Sequence, residues 1–297
     1  MSAPVNRGIL VGVDGSPSSI AAVDWAARDA ALRGLPLMLV HVLAPPVVMT
    51  FPETPMPAGY EDWQREQGER HLRAAIGIAE GHTGPAGPVR VDAETAAGPT
   101  VPTLVDLSNE ADLLVVGCRG HGRLRRSLLG SVSSAVVRHA HCPVAVIHDE
   151  HPDLPHPAEA PVVVGIDGSP VSEAATAFAF EEASLRGVPL VAVHAWHDVS
   201  VFEFPGIDAA TMQTDGELVL AERLAGWQER FPDVPVRRVV AGDRPADQLI
   251  EQSQSAQLVV VGSHGRGGFA GMVLGSVSLA VVQSARMPVV VVRSSNG

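Results

Sequence analysis

Short apolar runs alternate with longer amphipathic stretches along the whole chain. The run ILVGVD at residues 9–14 precedes a helical pattern that starts at Pro17, and LPLMLVHV at residues 35–42 follows that pattern. The runs are nearly unbroken in aliphatic and β-branched residues, which is typical of parallel strands covered on both faces. Strands that alternate with helices form right-handed βαβ units. The pattern therefore predicts an α/β fold.

The pattern occurs twice. ILVGVDGSPSS at residues 9–19 recurs as VVVGIDGSPVS at residues 162–172, an offset of 153 (162 − 9). LLGSVSSAVV at residues 128–137 recurs as VLGSVSLAVV at residues 273–282, an offset of only 145 (273 − 128). The first copy therefore carries an insertion of eight residues, for which a Pro-rich stretch before residue 60 is the expected place.

The two copies predict two tandem domains, at residues 1–148 and 162–297. Residues 149–161 between them contain four prolines and four acidic residues, which is typical of an exposed, stiffened linker. Five apolar runs can be counted in each copy. We expect each domain to be Rossmann-like, with an open five-stranded parallel sheet and helices on both faces.

The composition excludes several kinds of ligand and reaction. The formal net charge is −12, so we expect no binding to nucleic acid. All 21 basic residues are arginine, which excludes any mechanism that needs a lysine, such as a Walker lysine or a Schiff base. Two cysteines cannot form a disulfide framework, and no apolar run reaches the ~20 residues of a membrane helix. No signal sequence is recognisable at the start of the chain, so a cytoplasmic location without membrane contact is expected.

Two segments should meet at the carboxyl ends of the strands, where an open parallel sheet binds its ligands. One is the end of the first strand, with Asp14 in the first copy and Asp167 in the second. The sequence after Asp14 places a turn, a cap and a proline at the start of a helix, which Gly34 and Gly187 should end.

The second segment is a loop after the fourth strand. It has the form G-x2-G-x9-G-S in both copies, starting at Gly117 and at Gly262. The glycines allow close approach of the backbone to a ligand, and the Gly-Ser pair opens a helix whose free N–H groups attract an anion. Serine hydroxyls can add donors. Such a loop binds phosphate without lysine. The first copy adds four arginines, whereas the second has only His264 and Arg266.

This motif, together with the first-strand aspartate, resembles that of the universal stress protein family, and the resemblance covers both copies. It implies adenine nucleotide alpha hydrolase-like domains that bind ATP with Mg²⁺, with Asp14 and Asp167 near the ribose, the adenine or the metal. The other implied contacts of the first copy are Gly12, Val13, Val42 and Val116 at the adenine and Gly117, Gly120, Gly130, Ser131, Val132 and Ser133 at the ribose and phosphates. In the second copy the same positions are Gly165, Ile166, Ala195, Val261, Gly262, Gly265, Gly275, Ser276, Val277 and Ser278.

Three functions are compatible with these residues. The first is a regulatory protein that binds ATP in the stress response and acts through protein partners. Because the motif contains no base beside a nucleophile, we expect at most slow hydrolysis of ATP. The second is an ATP-hydrolysing or nucleotidyl-transfer enzyme, which would need a further catalytic cluster. The third is an FAD-binding module like that of electron-transfer flavoproteins, which the aromatic content of 4% disfavours.

Several remaining polar residues have a structural interpretation. His41 and His194 end the second strand of each copy, and we expect them to be core histidines. His139 and His141 resemble a metal tract, but the second copy does not keep them, so we expect them at a helix end. Cys142 should be a small buried residue.

The fifth strands, PVAVIH and PVVVV, are apolar and should lie at a sheet edge. Bare apolar edges promote association. The resemblance suggests that the two copies pair through these edges as an intramolecular pseudo-dimer, and it also allows a homodimer.

Overall fold

The computed structural model describes residues 7–45, 58–120, 129–148, 159–195, 209–242, 244–265 and 274–293. The chain divides into two compact units at about residue 149. The elements of the first unit are β1 (Ile9–Gly12), α1 (Pro17–Arg33), β2 (Leu37–Leu43), α2 (Tyr60–Ala79), β3 (Thr83–Gly84), β4 (Gly87–Pro88), β5 (Val91–Ala97), α3 (Thr100–Leu107), a 3-10 turn (Ser108–Glu110), β6 (Leu113–Gly117), α4 (Ser131–His139) and β7 (Val144–Ile147).

In its described residues, the second unit repeats this order without the short strands β3 and β4 and without the 3-10 turn. Its elements are β8 (Val162–Gly165), α5 (Pro170–Arg186), β9 (Leu190–Ala195), α6 (Ala209–Arg230), β10 (Val236–Ala241), α7 (Pro245–Ser253), β11 (Leu258–Gly262), α8 (Ser276–Ser284) and β12 (Val289–Val292).

Each unit contains the five-stranded sheet that the sequence predicts. The order is β7-β6-β1-β2-β5 in the first unit and β10-β9-β8-β11-β12 in the second. All of these pairings within a unit are parallel. Strand β1 lies between β2 and β6, with Ile9 opposite both Leu37 and Leu113. The strand order reverses at this point, so the ends of β1 and β6 frame the crevice at which such sheets bind ligands.

Helices pack on both faces of each sheet, as predicted. Helices α1 and α2 contact each other and the strands, and α3 and α4 form a second such pair. The second unit has the corresponding pairs α5 with α6 and α7 with α8. The central strands are covered on both sides, which explains their unbroken apolar sequences: the first four residues of β6 and of β11 are buried.

The first helix of each unit begins and ends at the predicted residues. Ser16 caps α1, its side chain accepting a hydrogen bond from the Ser19 N–H, and Pro17 is the first helical residue. Gly34 follows the helix with a φ of 66°, a left-handed conformation that favours glycine. The second unit repeats this arrangement with Ser169 and Gly187.

Part of the extra length of the first copy lies between its second helix and its third sheet strand. Residues 80–90 connect α2 to β5 and form the hairpin β3-β4, whereas residues 231–235 connect α6 to β10. Residues 46–57, most of the Pro-rich stretch, lie outside the described residues, as do residues 149–158 of the linker. Ala160, near the end of that linker, is buried and its carbonyl accepts a hydrogen bond from the Gln257 side chain.

No helix in the described part of the chain combines the length and the apolar character that crossing a membrane requires.

Candidate functional site

The aspartate after the first strand joins two parts of the site. In the first unit, Oδ1 of Asp14 accepts a hydrogen bond from the Ser16 N–H at 2.9 Å and so fixes the turn into α1. The other carboxylate oxygen faces the loop after β6, 2.5 Å from where a Cβ atom on Gly120 would lie. In the second unit, Asp167 makes the same bond to the Ser169 N–H at 2.9 Å and approaches Gly265 in the same way.

The first glycine of the loop motif lies against the first helix of its own unit. A Cβ atom on Gly117 would lie 2.6 Å from the carbonyl carbon of Ser18, in the first turn of α1. On Gly262 it would lie 3.0 Å from a methyl group of Val171 in α5. These glycines therefore let the end of the strand pack against a helix.

The helices that follow the loop begin without a side-chain cap. Gly130 is the N-cap of α4 and Gly275 that of α8, and neither provides a side-chain hydrogen bond. By contrast, α1 and α5 are capped by Ser16 and Ser169. The first N–H groups of a helix have no partner within it. The amide groups and positive dipole ends of α4 and α8 are therefore available to an anion at the switch point. Helices α2, α3 and α7 also begin without a side-chain cap.

The serines of these helix starts divide into two kinds. Ser133 and Ser278 are buried, and their hydroxyls donate to the carbonyls of Cys118 at 2.8 Å and of Gly262 at 2.6 Å. These bonds tie each helix start to the strand before it, so the two hydroxyl hydrogens are used inside the protein. Ser131 and Ser276 are exposed. Of the four serines expected to donate to phosphate, these two remain the candidates.

A cavity of about 450 Å³ opens at this point in the second unit, within the range of small-molecule clefts. Its lining includes every residue of the second copy that the sequence predicts for the site. They are Gly165, Ile166, Asp167, Ala195, Val261, Gly262, Gly265, Gly275, Ser276, Val277 and Ser278. Its lining combines apolar residues with the carboxylate of Asp167 and the start of α8.

Five further residues line the cavity, and of these the sequence analysis named only His264. Two of them, Pro245 and Leu249, lie on α7, and Leu249 packs 3.1 Å from where a Cβ atom on Gly165 would lie. Val193 could have been found, because it lies two residues before Ala195 and side chains two apart on a strand share a face. Ser172 and His264 complete the lining.

The corresponding positions of the first unit also come together. A Cβ atom on Gly12 would lie 3.4 Å from Leu104 of α3 and 3.6 Å from Val116, the counterparts of Leu249 and Val261. The N–H of Gly130 donates to the Cys118 carbonyl, which brings the helix start back to the end of β6. Val13 and Val42 lie at the ends of β1 and β2, and Val132 lies in the first turn of α4. His121, Arg123, Arg125 and Arg126, and Arg266 in the second unit, lie outside the described residues.

The strand-end histidines face away from the cavity. Nδ1 of His194 lies 2.7 Å from the Ile166 carbonyl, and the residue is only 9% exposed. Its neighbour Ala195 lines the cavity, and alternate residues of a strand point to opposite faces. The prediction of a core histidine is therefore confirmed for His194, and Nδ1 of His41 makes the same contact with Val13 at 2.7 Å.

Both cysteines are buried. Burial raises the pKa of the Cys142 thiol to about 12, which confirms the prediction of a buried structural residue. His139 is the last residue of α4, as predicted. In the described part of the chain, no group of three or more His, Cys, Asp or Glu side chains is arranged to hold a metal ion.

Comparisons with known proteins agree with this architecture. The model of the universal stress protein family matches residues 6–148 and 160–293. Universal stress protein Rv2623 of Mycobacterium tuberculosis is 56% identical over 288 residues, covering 97% of this chain and 97% of the relative. Universal stress protein Rv2005c of the same organism is 56% identical over 296 residues, covering 99% and 100%. The crystal structure of a universal stress protein from Archaeoglobus fulgidus has a TM-score of 0.71 at 21% identity and covers 97% of this chain and 98% of its own.

Proposed function

This chain belongs to the universal stress protein family, and we propose that each of its two domains binds ATP with Mg²⁺ as a regulatory ligand. Universal stress proteins bind adenine nucleotides. The observation that carries the proposal is the pair of helix starts at the switch points, which lack a side-chain cap where the first helix of each unit has one. An anion that accepts from the free N–H groups completes these helices.

The shape and polarity of the second-unit cavity fit an adenine nucleotide. Gly165, Ile166, Val193, Ala195 and Leu249 form an apolar wall in which a purine is removed from water. The phosphates would lie at the amides of residues 276–278 and the exposed hydroxyl of Ser276, where the dipole of α8 favours negative charge.

Asp167 fits a role beside the ribose or the metal. One carboxylate oxygen is held by the Ser169 N–H, so the side chain is oriented before a ligand arrives. A single carboxylate suits Mg²⁺, which is usually held by phosphates, water and one or two acidic side chains. Asp14 has the equivalent bond to Ser16 in the first unit.

The proposed role is binding, with hydrolysis slow at most. Each aspartate is tied to the turn that follows it, and His41 and His194 face the other side of their sheets, so neither type of residue provides a base beside a nucleophile. Binding that orders a loop changes the surface that a partner protein meets, which is how a nucleotide acts as a signal without turnover.

Mass spectrometry of the small molecules released from the freshly purified full chain tests the proposal, together with calorimetric titration of ATP and Mg²⁺. We expect adenine nucleotide in the released material and two binding sites per chain. Release of phosphate should stay far below the about 1 per second typical of enzymes. Rapid turnover would instead favour an ATP-hydrolysing enzyme, and a yellow protein that releases FAD would favour a flavin-binding module.

A pair of variants localises the sites. Val42→Phe and Ala195→Phe add a large side chain at the half-buried end of the second strand of each unit. Ala195 lines the cavity, so the double variant should lose nucleotide binding while keeping its thermal stability within a few degrees. Leu218→Phe adds an aromatic ring at a position that is 60% exposed on α6, and should bind normally. Full binding by the double variant would place the nucleotide elsewhere.

A further inference from the structure

A second groove of the second unit lies between the start of α5 and the helix α6. Its volume is about 570 Å³. Its lining includes Gly168 and Ser169 from the turn after β8, together with Trp227 and two arginines of α6. Asp167, in the same turn, lines the cavity described above. The α5–α6 groove is therefore a separate depression that shares one turn with the proposed nucleotide site.

Trp227 is the aromatic residue of this groove, and its neighbours hold the ring in place. The indole N–H donates to the carboxylate of Glu173 at 2.8 Å. The ring stacks on Phe180, which is fully buried, with the centroids 6.0 Å apart, and on Phe231 at 6.3 Å. A half-buried ring that is already ordered provides contact area to a partner without a large loss of side-chain entropy.

Two guanidinium groups lie on the α6 side of the groove. Arg223 and Arg230 are both exposed. Arg230 lies 5.5 Å from the centroid of the Trp227 ring, a cation–π distance. Arg223 forms no ion pair with the residues that the structure describes. Residues seven apart lie on the same side of a helix, about 10 Å apart along its axis, so the two cations form a row.

The two carboxylates of the groove are not equivalent. Glu173 accepts the indole N–H and lies in the first turn of α5, where the helix dipole favours negative charge. Glu222 is exposed, next to Arg223 in sequence, and points about 100° away from it around the helix. The groove thus has two cations and one carboxylate without a bond to its wall, in a chain of net charge −12. This balance favours an acidic partner.

Exposure and spacing favour a protein segment over a small molecule. Arg223, Gly226 and Arg230 are all exposed, whereas a pocket usually covers about 70–90% of a small ligand. One carboxylate cannot reach both arginines, but a polyproline II segment places side chains three residues apart on one side, about 9 Å from each other. A Cβ atom on Gly226 would meet nothing within 4 Å, so the space between the arginines is open to such a chain.

We propose that the α5–α6 groove is the docking site for an acidic segment of a partner protein. Two carboxylates three residues apart pair with Arg223 and Arg230, and the chain between them packs on Trp227. The proposal goes beyond nucleotide binding and does not depend on it. The combination of tryptophan and arginine is the one that dominates the energy of protein interfaces.

The first unit does not repeat this chemistry. Ile20 occupies the position of Glu173, at the offset of 153 that relates the first helices of the two copies. A Cβ atom on Gly15, the counterpart of Gly168, would lie 2.5 Å from the ring of His71 on α2. An imidazole therefore lies where the second unit has its groove, and we expect one docking site per chain.

Fluorescence anisotropy with the full chain tests the proposal. The probe is a fluorescein-labelled peptide, Pro-Glu-Pro-Pro-Glu-Pro, and the matched control peptide has glutamine in place of both glutamates. We expect saturable binding of the probe that weakens as salt is added, and binding of the control that is about tenfold weaker or less detectable still. Equal binding of the two peptides, or no binding of the probe at millimolar concentration, would overturn the proposal.

Substitutions at exposed positions of α6 identify the contacts. Arg223→Ala and Arg230→Ala should each weaken binding of the probe about fivefold, the effect of one partly exposed ion pair. Glu222→Gln should strengthen it, because a repelling carboxylate is removed. Arg70→Ala changes an exposed arginine of α2 and is the matched control, with normal binding. If both α6 variants bind as well as this control, the arginines do not form the site.

A nitrogen-15 spectrum of the indole N–H groups locates the bound probe. The chain has four tryptophans, and the signal that Trp227→Phe removes belongs to Trp227. That signal should move when the probe is added, in the wild type and equally in Ala195→Phe. Loss of nucleotide binding and loss of peptide binding are thus separate results. Movement of other tryptophan signals alone would place the peptide elsewhere and overturn the proposal.

Two other occupants of the groove would give different results. If the ligand is a small dicarboxylate, suberate should displace the probe as effectively as unlabelled peptide does. If the occupant is a second copy of this chain, sedimentation should show self-association that Arg223→Ala abolishes. Either result would overturn the proposal of a partner protein.

Discussion

The Oδ2 atom of Asp14 lies 2.5 Å from the position that a Cβ atom on Gly120 would take. The carboxylate and the glycine belong to different segments, the turn after β1 and the loop after β6. Since real Cβ atoms do not approach an oxygen so closely, only glycine allows the loop to close over the carboxylate. The same relationship between Asp167 and Gly265 in the second unit indicates that the contact belongs to the site in both units.

Gly120→Ala and Gly265→Ala should therefore weaken ATP binding in their own domains. The added methyl group must displace either the carboxylate or the loop, and a misplacement of this kind should lower affinity by about tenfold or more, or about 1.4 kcal/mol. Calorimetric titration of each single variant measures the effect, with one site affected and the other unchanged.

Gly77→Ala is the control for these two variants. Gly77 lies within α2, and a Cβ atom there would meet nothing within 4 Å. This change should leave ATP binding unaltered and raise stability by about 0.5–1 kcal/mol, because glycine is unfavourable inside a helix. If the loop variants bind ATP as well as the control does, the carboxylate contact does not contribute to the site.

The first glycine of each loop should affect stability, and the two units should differ. In Gly117→Ala the new methyl group meets the backbone of Ser18 at 2.6 Å, and backbone cannot easily move. In Gly262→Ala it meets a methyl group of Val171 at 3.0 Å and no backbone atom closer than 3.3 Å, so a smaller shift relieves the contact. We expect a loss of about 2–3 kcal/mol for the first and about 1 kcal/mol for the second, as for other overpacked cores.

Urea unfolding monitored by circular dichroism compares these two variants. The first unit of Gly117→Ala should unfold at a lower urea concentration than that of the wild type, with the second unit unaffected. Equal destabilisation by the two changes would mean that the strand ends can shift away from their helices in both units.

The fold and most of the site could be predicted because they depend on local patterns. Unbroken apolar runs identify buried parallel strands, and the repeat offsets place Asp167, Gly262 and Gly275 in register with their first-copy counterparts. The spatial meeting of these segments follows from the topology of a parallel sheet alone. This explains why all eleven predicted residues of the second copy line one cavity.

The remaining features of the site depend on packing between side chains, which no sequence motif indicates. Leu249 reaches the cavity because α7 packs on β8 and β9, a contact between distant parts of the sequence. The hydroxyl of Ser278 is polar and lies in the motif, yet it donates to the Gly262 carbonyl, and only the positions of both atoms reveal this. The same applies to Gly117, whose sequence context suggests a ligand although its neighbour is α1.

Two arginine–aspartate pairs of α1 provide a test of how burial changes the contribution of an ion pair to stability. Arg33 pairs with Asp29 at 2.9 Å, and the side chains are 15% and 1% exposed. Arg28 pairs with Asp24 at 2.7 Å with the same spacing along the helix, but these side chains are 65% and 37% exposed. Arg33→Ala should cost about 3 kcal/mol, since it leaves Asp29 buried without this partner, whereas Arg28→Ala should cost less than about 1 kcal/mol.

Thermal unfolding of these variants provides the measurement. The two changes are made on one helix and introduce the same residue, so intrinsic helix propensity contributes nearly equally. A similar loss in both would show that Asp29 is protonated or solvated once Arg33 is removed. The buried pair recurs as Arg186 with Glu182 at 2.7 Å, and Arg186→Ala should behave like Arg33→Ala.

Cys142 should make stability depend on alkaline pH. Burial raises the pKa of its thiol to about 12 in the folded chain, whereas an unfolded thiol titrates near about 8.5. The contribution of this thiol to stability is fully present below the pKa of the thiol in the unfolded chain. Between the two values only the unfolded chain loses the proton, so stability falls as pH rises, by up to about 1.4 kcal/mol per pH unit. Urea unfolding of the wild type between pH 8 and pH 11 should follow this slope.

Cys142→Ala isolates that contribution, because Cys118 and all other titrating groups remain. At pH 8 the variant should be less stable than the wild type, because it lacks a buried side-chain atom. Its stability should decline less steeply as pH rises, so the two curves of stability against pH converge. The native wild type should also resist alkylation of Cys142 by iodoacetamide at pH 9, since the reactive thiolate is scarce when burial opposes its charge. Parallel stability curves, or rapid alkylation without unfolding, would show that water reaches this thiol.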